Sequence, residues 1–194
     1  MAKLIFIVGS AGAGKTSVAR ALVARRPAAF LDMDTLLRPA AETIMTMAGL
    51  DPTDRDSPLY KERCRNLGYR ITMDAALENV QLGLDAVVIG PFTRETSDPA
   101  WLDHELARIG AARDIVRVIV VSLPDTDQYY TRIRDRGSEL DVWKLEHWET
   151  FKSSLADRDI HWQLPPSAIL KHDNSGPLDS AVVDRLEQFV WGRM

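Results

Sequence analysis

Leu4-Ile5-Phe6-Ile7-Val8 is a continuous apolar run that ends at Gly9, the pattern of a central parallel strand covered on both faces. From Lys15 the period changes. Val18, Leu22 and the intervening alanines mark one face of a helix to Arg26, and Pro27 stops it. Ala28 to Asp32 reads as a second strand, and Leu36 to Gly49 as a helix with Ile44, Met45 and Ala48 on one side. A polar loop with two prolines spans Asp51 to Pro58. Tyr60, Cys64, Leu67, Ile71 and Ala75 then recur at helical spacing in a long helix ending near Gly83.

The alternation continues to the C-terminus. Ala86 to Ile89 is a third strand, Ala100 to Ile109 a helix, Ile115 to Val121 the longest strand, and Asp125 to Arg136 a helix stopped by Gly137. Val142, Leu145, Trp148, Phe151 or Lys152, and Leu155 suggest another helix with Trp148 in its inner stripe. Ala168 to Leu170 is a short fifth strand, and Pro177 opens a closing helix with Leu178, Val182, Leu186 and Val190 inward. Five strands alternating with helices predict a single α/β domain over residues 1–194, with a parallel sheet flanked by helices.

Composition narrows this only slightly. The 194 residues suit one domain with a substantial core, and a hydrophobic share of 45% with 27% charged is ordinary for a globular chain. The net charge of -4 argues against a nucleic-acid polymer as partner. Cys64 is the sole cysteine, which fits a reducing compartment, and no apolar run reaches membrane-spanning length. The expectation is a cytoplasmic protein with no membrane partner, a monomer or small homo-oligomer.

The chemistry begins at Gly9-Ser10-Ala11-Gly12-Ala13-Gly14-Lys15-Thr16, a full match to the phosphate-loop pattern G-x-x-x-x-G-K-[ST], placed between a strand and a helix. Such a loop turns successive backbone N–H groups toward phosphate oxygens, and the following helix adds its positive end. Gly9, Ala11, Gly12, Ala13, Gly14, Lys15, Thr16 and Ser17 are the expected nucleotide-binding residues. Lys15 is expected at the β- and γ-phosphates of ATP, and the Thr16 hydroxyl at a magnesium ion.

Phe30-Leu31-Asp32-Met33-Asp34 closes the second strand with carboxylates at i and i+2, on one side of an extended chain and at the sheet edge where ligands bind. Asp34 has two readings: a group that orients or deprotonates an attacking hydroxyl, or a cap for a helix starting near Thr35. The phosphate loop with Phe-x-Asp-x-Asp resembles the small-metabolite P-loop kinases: shikimate kinase, gluconate kinase, chloramphenicol phosphotransferase and, more distantly, the zeta toxins. In shikimate kinases the matching first aspartate sits near the magnesium and the second contacts the acceptor hydroxyl, so the resemblance implies a metal role for Asp32 and an acceptor role for Asp34. It also implies a three-layer P-loop fold, a short helical lid (about 132–145) and transfer of the γ-phosphoryl group of ATP to a small-molecule hydroxyl.

Two departures matter. Val87-Val88-Ile89-Gly90-Pro91-Phe92-Thr93-Arg94 lacks the aspartate that ends the third strand in many P-loop proteins, and it lacks the triple glycine of shikimate kinases, which argues against shikimate as acceptor. Arg70, Phe92 and Arg94 are expected on the acceptor side, with Arg94 either binding an acidic group or simply solvated. Arg132 and Arg136 share a helix face and are the expected lid arginines, although Ser138-Glu139-Leu140-Asp141 continues acidic where many lids carry arginine. Trp143 and His147 either line the acceptor pocket or form a surface pair. Asn174 and Ser175 follow the fifth strand, where these kinases pack the adenine; they either contact the nucleotide or only shape the turn. A nucleotide or polynucleotide 5′-hydroxyl kinase shares most of these features, as does a nucleotide-dependent switch without an acceptor.

Overall fold

The N-terminal apolar run forms β1 (Leu4–Val8), buried at every position. The computed structural model describes residues 1–155 and 158–192. In them, β1, β2 (Ala29–Asp32), β3 (Ala86–Ile89), β4 (Val116–Ser122) and β5 (Ile169–Asp173) build one sheet in the order β2-β3-β1-β4-β5, parallel at every pairing. The helices are α1 (Lys15–Arg25), α2 (Met33–Met47), α3 (Pro58–Tyr60), α4 (Asn66–Gln81) and α5 (Trp101–Ala107). They continue with α6 (Thr126–Arg136), α7 (Val142–Glu146), α8 (Trp148–Lys152) and α9 (Ser180–Trp191).

Successive residues of β1 serve opposite faces. Leu4, Phe6 and Val8 join a core with Met73, Ala76 and Leu77 of α4 and Leu102 and Leu106 of α5. Ile5 and Ile7 join a second core with Val18, Ala19 and Leu22 of α1 and Leu186 and Val190 of α9. A central strand covered on both faces has no place for a polar residue, which is why the run is unbroken.

Several boundaries differ from expectation. α2 starts at Met33 rather than Leu36, because the Asp32 carboxylate accepts a hydrogen bond from the Asp34 N–H and caps the helix three residues early. α9 starts at Ser180 rather than Pro177, capped by Asp179. The helix expected after the lid breaks in two at His147, whose φ of -114° and ψ of 38° lie outside the helical range. Trp148 there is half-buried, against Tyr130.

The most consequential difference lies in the long helix. α3 passes into α4 through a π-helical turn, Lys61–Arg65. The expected apolar stripe holds through Tyr60 and Cys64, both buried, but the buried positions then become Gly68, Tyr69, Thr72, Met73, Ala76 and Leu77. Leu67, Ile71 and Ala75 fall to the flank. A π turn accommodates an extra residue and so rotates everything after it relative to a regular 3.6-residue repeat.

An aromatic cluster joins the sheet to the segment after β3. Phe92 meets Phe6 at 5.4 Å, Tyr69 at 4.8 Å and Trp101 at 5.8 Å between ring centroids, and Trp162 stacks on Trp101 at 5.5 Å. Phe92 is fully buried with φ of 43°. It was expected to touch the acceptor; its ring instead fills the core between the sheet, Tyr69 of α4 and Trp101 of α5. Phe92→Ala is therefore expected to lower stability by about 3–5 kcal/mol, read as a drop in the urea midpoint at unchanged slope.

Candidate active site

The phosphate loop leaves the buried end of β1 and turns into α1. Its path needs glycine at two close approaches. A Cβ on Gly9, at φ of 147°, would stand 2.1 Å from the Val121 carbonyl oxygen, and one on Gly14, at φ of 92°, 2.2 Å from Asn174 Nδ2. Asn174 is buried at the end of β5 and donates to the Ala13 carbonyl at 2.8 Å. Arg132 Nη2 donates to the Asn174 carbonyl at 2.7 Å. Asn174, expected as a nucleotide contact, thus clasps the loop with its amide, and Arg132 braces the clasp. Ser175 is exposed, and its N–H bonds the Asp173 carboxylate in the turn after β5. Ser17 is exposed on the first turn of α1.

Lys15 turns back over the loop and donates to the Ser10 carbonyl at 2.9 Å. Burial lowers its ammonium to about 8, against the opposing pull of Asp34 and Asp32. Thr16 Oγ1 donates to Asp32 Oδ2 at 3.0 Å. Asp32 therefore caps α2 with one oxygen and meets the Thr16 hydroxyl with the other. The capping role lies with Asp32, which leaves the Asp34 carboxylate free of that duty. Asp34 stays open to solvent, yet protein crowds it on its other sides; that desolvation raises its carboxyl above the ordinary value, with Lys15 pulling the other way.

The acidic turn after α6 has a definite use. Asp141 is 2% exposed and pairs with Arg136, whose Nε donates to Oδ2 at 2.7 Å. Lys144 Nζ reaches Asp141 Oδ1 at 3.2 Å and Asp56 Oδ2 at 3.0 Å. The turn after α6 and the loop before α3 are thus joined by a largely buried ion cluster. Arg136 is engaged there, although its charge is still felt at Lys15 and Asp34. Arg134 pairs with Asp135 away from the site. Trp143 and His147 stack on each other at 4.8 Å, both exposed.

Of the residues expected on the acceptor side, Arg94 is exposed and Arg70 is tied to Asp74 at 3.0 Å on the surface of α4. Three groups went unrecognised in the sequence. Glu95 is buried beside Tyr69, and Arg158 reaches the same region from the strand-free segment before β5. Lys144 lay in a helix with no motif. None carries a local pattern, and only the run of polar positions after Phe92 hinted at Glu95.

Residues 4–157 match the model of a family described as AAA domain. The chain belongs to this AAA-domain family of P-loop proteins. Across the whole fold, it is similar to a putative kinase from Chloroflexus aurantiacus (TM-score 0.67, 17% identity, 96% of this chain and 94% of that one). It is likewise similar to a sugar kinase from Janibacter (TM-score 0.63, 13% identity, 98% and 95%) and to the Mycobacterium tuberculosis APS kinase (TM-score 0.58, 18% identity, 97% of both). No match was found among curated protein sequences. At these identities the shared property is the fold, the α/β P-loop fold found in small-molecule kinases. No helix among the described residues is long and apolar enough to cross a membrane.

In this AAA-domain protein the Lys15 value carries a pH prediction. Its charge is lost as pH rises through about 8, and a triphosphate beside it favours the charged form. Affinity for ATP is expected to fall about tenfold between about pH 7 and about pH 9, with a proton taken up on binding near pH 8. Calorimetry in buffers of different ionisation enthalpy reads both.

Proposed function

We propose that the protein transfers the γ-phosphoryl group of ATP to a hydroxyl of a small metabolite. The observation that carries this reading is Asp34, a carboxylate of raised proton affinity that does not cap α2 and that feels the charge of Lys15 in a complete phosphate loop. A nucleotide switch would use such a group only to place an attacking water, and it would also commonly carry the third-strand aspartate that Val87–Ile89 lacks.

Backbone N–H groups from Gly9 to Thr16 and the Lys15 ammonium hold the phosphates and oppose their charge. Asp34 orients the acceptor hydroxyl and takes its proton as that oxygen bonds to the γ-phosphorus and the bond to the β-phosphate oxygen breaks, releasing ADP. Burial raises the Asp34 carboxyl toward the range where a carboxylate accepts a proton readily. Arg136, held by Asp141, and Arg132, at the Asn174 clasp, keep positive charge near the transferring group. Localisation in the cytoplasm belongs to the same proposal.

A magnesium ion fits the same frame. Among the described residues no group of three His, Cys, Asp or Glu is placed to hold a metal alone. The Thr16 hydroxyl beside the Asp32 carboxylate supplies instead the sparse set of hard oxygens that suits magnesium arriving on a triphosphate. When bound, the ion neutralises phosphate charge and raises the electrophilicity of phosphorus.

Lys15→Ala is expected to abolish transfer while retaining the fold. Asp34→Asn is expected to leave ATP binding within a few-fold and to slow transfer by about 10²–10⁴. The decisive experiment is a mass-spectrometric screen of hydroxylated metabolites with ATP and magnesium, using Lys15→Ala protein as the blank. A product formed only by the intact protein supports the reading. Silence across sugars, sugar acids, nucleosides and short oligonucleotides, with ATP still bound, would favour a switch. Weakened metal binding in Asp34→Asn would exchange the roles of Asp32 and Asp34.

A further inference from the structure

His172 is a buried polar residue on a sheet face built of apolar ones. It is 5% exposed, pairs in register with Val121 of β4, and follows Leu170 on the side of β5 that meets the core of α1 and α9. A polar ring in such a place is costly unless its hydrogen bonds are met. Its Nε2 makes none, but the ring bonds the side chain of Asn174, two residues on. Burial holds the imidazolium below the ordinary histidine value, helped by the Arg185 charge from α9 and opposed by Asn174 and Asp173. The ring is therefore neutral near pH 7, and a neutral imidazole has a single N–H. With Nε2 unpartnered, that N–H lies at Nδ1 and serves the Asn174 side-chain oxygen.

Asn174 is thereby held at every polar group. Its N–H donates to the Ser122 carbonyl at 2.9 Å, its carbonyl accepts from Arg132 Nη2 at 2.7 Å, and its Nδ2 donates to the Ala13 carbonyl at 2.8 Å. The backbone contacts fix where the residue sits but not the tilt of its amide. The terminal torsion of asparagine is broad, so one bond to Ala13 leaves the amide plane free to rock. A second bond at the oxygen end removes that freedom. The tilt matters because the space is tight: a Cβ on Gly14 would stand 2.2 Å from Nδ2. An amide that rocked would press on the loop at Gly14 or let go of Ala13.

We propose that His172 is a positioning residue for the nucleotide: its ring N–H holds the Asn174 side-chain oxygen, and the amide so fixed keeps Ala13 and the phosphate loop in the curvature that receives the triphosphate. This role needs nucleotide binding by the loop and does not depend on the acceptor.

The test is calorimetric titration of the full chain with magnesium and a non-hydrolysable ATP analogue, beside thermal melts without nucleotide. His172→Leu removes the N–H and suits the apolar face. It is expected to melt no lower than the unaltered protein and yet to bind the analogue about 10-fold more weakly, the worth of one buried hydrogen bond. His172→Asn keeps an N–H where Nδ1 stood and gives up the packing of the ring. It is expected to melt lower and to bind with nearly the affinity of the unaltered protein. A merely structural histidine would give affinities that follow the melting temperatures. Asn174→Ala is expected to weaken binding at least as much as His172→Leu, and the double variant to bind no more weakly than Asn174→Ala. The proposal would be overturned by His172→Leu binding as tightly as the unaltered protein, by His172→Asn binding as weakly as His172→Leu, or by additive losses in the double variant. Should His172→Leu not fold, His172→Phe, which keeps a ring and lacks the N–H, carries the same expectation for affinity. No binding by the unaltered protein would remove nucleotide binding and this role with it. Tight binding without any phosphorylated product, with the variants ordered as expected, would remove the phosphotransferase reading and leave this role standing.

Discussion

Everything in the site depends on holding one strained loop of backbone open at the end of a buried strand. Successive N–H groups converge on one point only while Gly12 and Gly14 keep positive φ and Gly9 lies against the Val121 carbonyl. A free chain would relax from that shape, so the fold must supply the restraint. It comes from β1, closed on both faces by its cores, and from the Asn174 amide on the Ala13 carbonyl. β5 is far from the loop in sequence and next to it in space, and Arg132 ties α6 to the same junction. One short segment is thus fixed by three separate stretches of chain.

The second organising feature is the placement of charge. Burial acts first on Lys15 and Asp34, the Asp32 and Asp34 charges oppose it at Lys15, and Lys15 opposes it at Asp34. Around them the protein spends carboxylates on its own cations: Asp141 holds Arg136 and Lys144, and Asp56 completes the cluster from the acceptor-side loop. Removing one partner from a buried ion cluster is strongly destabilising, typically by about 3–5 kcal/mol. The end of α6 and the loop before α3 are therefore coupled through a few atoms, and the acidic turn expected to interrupt a lid is what couples them.

Function follows from the contrast between the two sides of the cleft. Near the phosphate loop several side chains are engaged within the protein: Lys15 with Ser10, Thr16 with Asp32, Asn174 with Ala13. Around α4 and the segment after β3, Glu95 and Arg158 each keep a buried polar atom unmatched. A site prepared for a ligand carries such groups, since bonds made within the protein would have to be broken before the ligand could bind.

The strands, their parallel order class and the phosphate loop were legible in the sequence because their signals are local. An unbroken run such as Leu4–Val8 has only one comfortable environment, and eight consecutive residues suffice to specify a phosphate cradle. Boundaries were less legible: Asp32 ends a strand and caps a helix with one carboxylate, and two roles on one residue leave a single trace. The direction of a helix face was not legible at all beyond Cys64. The π turn at Lys61–Arg65 rotates Tyr69 and Met73 inward, and it is the packing of Gly68 against Leu37 and Met33 that shows which rotation the chain adopts. Only the tertiary structure could decide that Phe92 belongs to the core, that Asn174 holds the loop, and that Arg158 comes within electrostatic reach of Glu95. Each of those contacts joins residues distant in sequence, and no spacing within a segment records which distant segment will lie beside it.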